Sequence, residues 1–316
     1  MALATPATGA TSAAAVVRQQ LTRRSTDVAG IVMLVTLLFT LLVTLAVLAT
    51  LLGQVVSGAR PAFAEVGVGN FLSRTIGSSP DTSGIFPGLY GSFFIGLGVI
   101  LVAVPLGIGA AVYLEEYATN SWFNRFIQVN IRNLAGVPAV VYGVLGLLIF
   151  TEYLDVLTGG STVIAAALTM AVLVLPIVII TSMEAIRAVP SGLRDAGYGV
   201  GASRWEVTRD HVLPYAAPGI LTGTVLSIAR ALGEAAPLII LGAITGLLGD
   251  TSMRGAFTAL PMLIFAWSGR SAPPGSETTW ANSAAAAGLT LLVLVLFFNA
   301  AAIVLRNRFE KKRTGT

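Results

Sequence analysis

Apolar residues fill long blocks of this chain, and the charged residues gather between the blocks. Val28–Ala59 carries IVMLVTLLFTLLVTLAVLATLL without a charge, and crossing a bilayer takes about 20 such residues, so a first membrane helix is predicted there. Thr82–Leu114, Asn133–Thr151, Val156–Met183 and Thr278–Leu305 are likewise uncharged, and Val212–Gly249 is apolar apart from Arg230 and Glu234. The pattern therefore predicts an all-α polytopic membrane protein with six transmembrane helices. Gly255–Gly269 is apolar but short and holds Pro261, which suits an interfacial or re-entrant segment better than a seventh span. Residues 1–27 open on an Ala/Thr-rich stretch without apolar periodicity and are expected to be a disordered tail. Residues 28–306 form the membrane body, and residues 307–316 a basic tail.

Composition agrees. Of 316 residues, 55% are hydrophobic and 11% charged, where a soluble domain carries about a quarter charged. The net charge of +4 is explained by placement. With both termini cytoplasmic, the predicted inner loops and tails hold 14 Lys and Arg residues and the outer loops only Arg60, Arg74, Arg254 and Arg270. A seventh span would put the five-charge C-terminal tail outside. Lipid, not nucleic acid, is the partner this charge pattern implies.

Several chemistries are excluded. Cysteine is absent, His211 is the sole histidine, and the lysines are Lys311 and Lys312 alone. A thiolate metal site, a paired-histidine zinc motif and a phosphate-cradling G-x-x-x-x-G-K-[ST] loop are all impossible. A lipid-modifying enzyme would lack a nucleophile–base set. If the protein moves something uphill, the energy comes from elsewhere, and no catalytic residue is assigned.

The richest segment is the cytoplasmic loop Val189–Pro214, VPSGLRDAGYGVGASRWEVTRDHVLP. Pro190 suits a first helical turn, Gly201 a helix stop, and Ser203 with Glu206 a capping box that restarts a helix. Two short helices on a glycine hinge are predicted. This segment resembles the EAA loop of ABC importer permeases, E-A-A-x3-G-x9-I-x-L-P. Asp195, Ala196 and Gly197 stand at the E-A-A positions, Gly201 at the glycine, and Leu213–Pro214 close the pattern. Asp195, Gly197 and His211 depart from its usual residues, but the spacing is kept. PLGIGAAVYLEEY (Pro105–Tyr117), IRNLAGVPAVVYGVLG (Ile131–Gly146), ILTGTVLSIARALGEAAPLI (Ile220–Ile239) and TALPMLIFAW (Thr258–Trp267) are similar to the phosphate importer of the Pst system, closest to its PstA-type permease.

The resemblance implies a type I ABC importer permease fold whose coupling helix docks on a cytoplasmic ATPase. It implies a PstC-type permease, a PstB-type ATPase dimer that binds ATP and Mg, and a PstS-type phosphate-binding protein as partners, all at a bacterial inner membrane. Sulfate or molybdate would suit the same chemistry, and a secondary transporter is a further alternative that the coupling-loop pattern opposes.

Arg230 and Glu234, four residues apart, are expected to share one helix face. An intramembrane charge costs about 2.5–3.5 kcal/mol on insertion scales, and Arg can grip a phosphate with a bidentate fork. Two readings stand: a charged element of the substrate path or gate, and a structural pair holding this helix against a partner permease. Glu115 and Glu116 at the end of the second span, together with His211, Arg132 and Asn133, are weaker candidates.

Overall fold

The computed structural model describes residues 28–246, 251–271 and 274–314; the predicted tail 1–27 lies outside them. Every regular element among the described residues is helical. The chain divides into two units, Met1–Gly53 and Gln54–Thr316. Helix α1, Val28–Val66, runs through the division. Its part in the first unit is apolar and exposed on every side, from Val28 through Leu52, as a helix surrounded by lipid must be.

From Gln54 onward α1 acquires a buried face, Ala59, Ala62 and Val66. The short α2, Val68–Ser73, follows, then α3, Phe86–Val112, which closes in a π-helical turn Tyr113–Tyr117. Helix α4, Trp122–Ala135, is capped by Ser121, whose hydroxyl accepts from the Asn124 amide. Helix α5, Ala139–Gly146, continues as a π-helical Leu147–Tyr153. After a single turn, α6 (Asp155–Thr158), comes α7, Val163–Arg187. Helices α8, Ser191–Gly199, and α9, Arg204–Val207, lead through a π-helical Thr208–Val212 into α10, Leu213–Gly233. The short α11, Ala236–Ile240, and α12, Leu260–Ser268, precede α13, Trp280–Thr314.

Helix α7 is the hub of the second unit. It packs most heavily on α3 and next on α10, which in turn packs on α13. The close approaches fall at glycines: a Cβ at Gly98 or Gly107 of α3 would meet Ala167 or Val178 of α7 at 2.7 and 2.6 Å, and one at Gly219 of α10 would meet Ala185 at 2.8 Å. Backbones come this near only where a side chain is missing, which is how membrane helices gain dispersion contacts when lipid removes the hydrophobic drive.

Among the described residues, five helices are long and apolar enough to cross a bilayer, and six if the bent pair α4–α5 counts as one span. That pair corrects the predicted third span, Asn133–Thr151. The chain turns by 102° at Gly136–Pro138, because proline offers no amide hydrogen and drives the preceding residue out of the helical region. Tyr142 braces the bend by donating its hydroxyl to the Leu134 carbonyl at 2.9 Å. The fourth span is also shorter than predicted: Gly159 and Gly160, both at φ +84°, separate α6 from α7, which starts only at Val163. The predicted re-entrant segment is α12, nine residues long and so about 14 Å, with Leu260, Leu263 and Trp267 fully buried. Its first amide is held by the Ser92 hydroxyl of α3 at 2.8 Å. The basic end of the chain, predicted as a tail, continues α13 helically to Thr314.

Candidate functional site: a braced coupling projection and a broken helix

The two predicted helices of the loop are present. Pro190 is the N-cap of α8 instead of its first residue. The helix ends because Gly201 takes φ +85°, letting its amide reach the Tyr198 carbonyl (3.0 Å) and the Ala202 amide reach that of Gly197 (3.1 Å). This pair of bonds is a Schellman motif, which wants glycine in the left-handed position. Two residues later the capping box forms as predicted: the Ser203 amide donates to Glu206 Oε2 at 2.8 Å, and the Glu206 amide to Ser203 Oγ.

The projection is fastened by contacts that sequence patterns did not single out. Arg194 of α8 donates from Nη2 (2.7 Å) and Nε (3.2 Å) to Glu116 Oε1, from Nη1 to the Val189 carbonyl (2.7 Å) and from Nη2 to that of Ile186 (3.0 Å). One guanidinium thus joins the end of α3, the end of α7 and α8. It also gives a further donor to the Ile186 carbonyl, which already accepts the Val189 amide, and a donor to the Val189 carbonyl just beyond α7. The Glu116 side chain is only 6% exposed and that of Arg194 22%. Beside it, Arg187 Nε donates to Glu115 Oε2 at 2.8 Å and Nη2 to Gln128 Oε1 at 3.1 Å, tying α7 to α3 and α4. The Arg204 guanidinium stands 5.1 Å above the Tyr117 ring. An apolar core beneath, including Leu114, Ile186, Val189, Val207 and Val212, completes the joint.

The predicted coupling residues divide into two groups. Asp195, Ala196, Gly201 and Pro214 are exposed, whereas Gly197 is buried under Val207 and Leu213 is half-buried. A Cβ on Gly197 would lie 2.8 Å from Val207, so this position sets how closely α8 lies on the next helix. Among its exposed charged residues the projection also displays large apolar side chains: Val200 is 85% exposed, Trp205 54% and Tyr198 44%. Large apolar side chains displayed on a polar loop are the signature of a protein contact. That signal was available in the sequence once the segment was placed outside the membrane. The partners of Glu115 and Glu116 were signalled only faintly, by two carboxylates ending an uncharged span next to a basic loop.

Arg230 and Glu234 are not on one helix. Helix α10 ends at Gly233, and Glu234 is its C-cap, with extended backbone (φ −88°, ψ 119°) and its amide bonded to Ala231. The two side chains form no ion pair among the described residues. The cause is local: Gly233 and Pro237 flank the break, and a new short helix, α11, starts at Ala236. Nor is Arg230 at mid-span. It sits in the last turn of α10, about 26 Å along the axis from Leu213 at 1.5 Å per residue, and it is exposed. The segments that follow the two interruptions meet: a Cβ at Gly143 of α5 would lie 2.8 Å from Pro237 of α11.

Residues 103–314 match the model of the family described as binding-protein-dependent transport system inner membrane component. This chain belongs to that family. Among similar sequences, the probable ABC transporter permease protein YqgI of Bacillus subtilis is 36% identical over 245 residues, 73% of this chain and 81% of the relative. The phosphate transport system permease protein PstA 1 of Mycobacterium tuberculosis is 34% identical over 257 residues, 81% and 82% of the two chains. The PstA permease of Yersinia pestis is 33% identical over 236 residues, 74% and 76%. Among solved structures, a bacterial ABC transporter involved in import of the acidic polysaccharide alginate aligns with a TM-score of 0.61 at 16% identity, covering 86% of this chain and 95% of that one. The inward-facing MetNI methionine ABC transporter aligns at 0.52 and 18% identity, covering 71% and 94%. At such identities the likeness is one of fold: the family's importer-permease architecture, with the projection after α7.

Proposed function

We propose that this chain is the translocation subunit of an ATP-driven importer of inorganic phosphate. The observation that carries the reading is the projection α8–α9, joined to the ends of α3 and α7 and exposing Tyr198, Val200 and Trp205, in a family member whose relatives over most of its length are named phosphate permeases. A lever needs two properties: a face that holds a partner and a stiff connection to what must move. Tyr198, Val200 and Trp205 supply the first, and the Arg194–Glu116 and Arg187–Glu115 pairs the second. ATP, bound with Mg2+, is hydrolysed in a separate ATPase whose cleft receives the projection. A PstC-type permease completes the membrane pair, and a PstS-type protein delivers phosphate from outside.

Both termini face the cytoplasm, by the 14-to-4 distribution of basic residues. The broken end of α10 then lies on the outer side, where phosphate enters. Arg230 is permanently charged and suited to an oxyanion, and discontinuous helices are where transporters expose backbone and charge to a pathway. Glu234, outside the helix, faces the same entrance as a gate element.

The test is uptake of radiolabelled phosphate in cells deprived of other phosphate importers, with co-purification of attached subunits from native membranes. Uptake that unlabelled phosphate suppresses and sulfate or molybdate does not, together with a retained ATPase, is expected. Suppression by sulfate or molybdate alone would reassign the substrate, and uptake without any ATPase would overturn the importer mechanism.

A further inference from the structure

The turn between α3 and α4 borders a half-open cavity of about 290 Å³ to which the transport mechanism assigns no ligand. Its wall is polar: Arg125, Arg187, Asn120, Ser121, Asn124 and Gln128 all line it. Arg187 is already engaged by Glu115 and Gln128, but Arg125 forms no ion pair or side-chain hydrogen bond among the described residues. Two guanidiniums and no carboxylate line the cavity, so its wall is positive, while Glu115 and Glu184 act on Arg187 from outside the lining.

The same helix shows a different chemistry next to the cavity. Trp122, Phe123 and Phe126 are 78%, 61% and 52% exposed, and the Trp122 and Phe126 rings stack with centroids 5.7 Å apart. Trp122, Phe126 and Val129, at helical spacing, form an exposed apolar stripe, while Asn124 and Gln128 lie on the cavity side. Because the chain bends by 102° after α4, this helix is set off from the direction of α5. An amphipathic helix with an aromatic stripe bordered by Arg125 and polar residues behind it suits the plane of a membrane interface.

We propose that this cavity binds the phosphate group of an anionic phospholipid on the membrane face that bears the coupling projection, with the acyl chains along Trp122 and Phe126. Free phosphate would satisfy the arginines alone. The aromatic stripe beside them is what selects a headgroup attached to apolar chains. Arg187 is shared between this cavity and the brace at Glu115, so the bound headgroup contacts the joint from which the projection extends. The proposal does not depend on which solute the protein carries.

The test uses the full chain purified in detergent with its associated subunits. Brominated phosphatidylglycerol and brominated phosphatidylcholine are titrated against tryptophan fluorescence, and the Trp122→Phe variant identifies the site-specific part of the quenching. Saturable quenching by phosphatidylglycerol at concentrations at which phosphatidylcholine has little effect is expected. Arg125→Gln should weaken it about tenfold, the scale of one lost charge-assisted hydrogen bond, and Arg125→Lys should recover part of the loss. Arg125 is exposed and unpaired, so the variant leaves the fold intact. Equal binding of the two lipids, or an unchanged Arg125→Gln titration, would overturn the proposal. Displacement of phosphatidylglycerol by millimolar inorganic phosphate would reassign the cavity to the free anion and overturn the lipid assignment.

Discussion

Arg194 is the residue on which the stiffness of the projection depends, and replacing it by alanine has a calculable outcome. The substitution removes both contacts to Glu116 and the donors to Val189 and Ile186. Glu116, 6% exposed, would be left as a buried carboxylate without its cation, and the Val189 and Ile186 carbonyls would each lose a donor. Breaking one side of a buried pair costs about 3–5 kcal/mol. Because Arg194 is 22% exposed and water can reach part of the site, the lower end applies, about 3 kcal/mol. That is on the order of a hundredfold in the equilibrium between the seated and released projection. Glu116→Gln keeps an acceptor for Arg194 but loses the charge, and should cost about 1–2 kcal/mol. The double variant Glu116→Leu, Arg194→Met removes the charges together and should recover much of the loss, since a well-packed apolar pair tolerates burial where a lone charge does not. Amide hydrogen exchange across residues 189–214 measures the release directly, and retention of the ATPase on purification measures its consequence. Exchange in Arg194→Ala unchanged from wild type would refute the reasoning. A double variant no better than either single one would show that the pair is not the element that matters.

Gly201→Ala should destabilise the hinge by about 1–2 kcal/mol through its left-handed backbone, whereas Gly199→Ala, with open space around it and no positive φ, should be nearly silent; thermal unfolding of the purified protein compares them. Arg230→Gln should abolish phosphate uptake, and adding Glu234→Gln should not restore it, because the two do not pair; recovery in the double variant, at equal membrane levels, would defeat the path assignment. Single cysteines introduced near Met1 and Thr316 should label only after the membrane is permeabilised, and one at Ser276 from outside; a terminus labelled in intact cells would overturn the orientation.

How much of this was written in the sequence follows from the range of the forces involved. Uncharged blocks specify membrane helices because lipid offers the backbone no hydrogen bonds, and that requirement acts on about 20 neighbouring residues at a time. The loop helices were equally legible: Gly201 and the Ser203–Glu206 box act within five residues, and both appear where the pattern put them. The helix ends inside the membrane were not. Hydropathy runs on through Gly136–Pro138 and through Gly233–Glu234, but backbone geometry stops the helix at both, so the third span bends and Arg230 parts from Glu234. Tertiary structure alone decided the brace. Glu116 and Arg194 are 78 positions apart, and only the packing of α3 on α7 makes neighbours of them. No local spacing encodes that contact, because the cost of burying a carboxylate is settled by whichever cation the folded chain brings beside it.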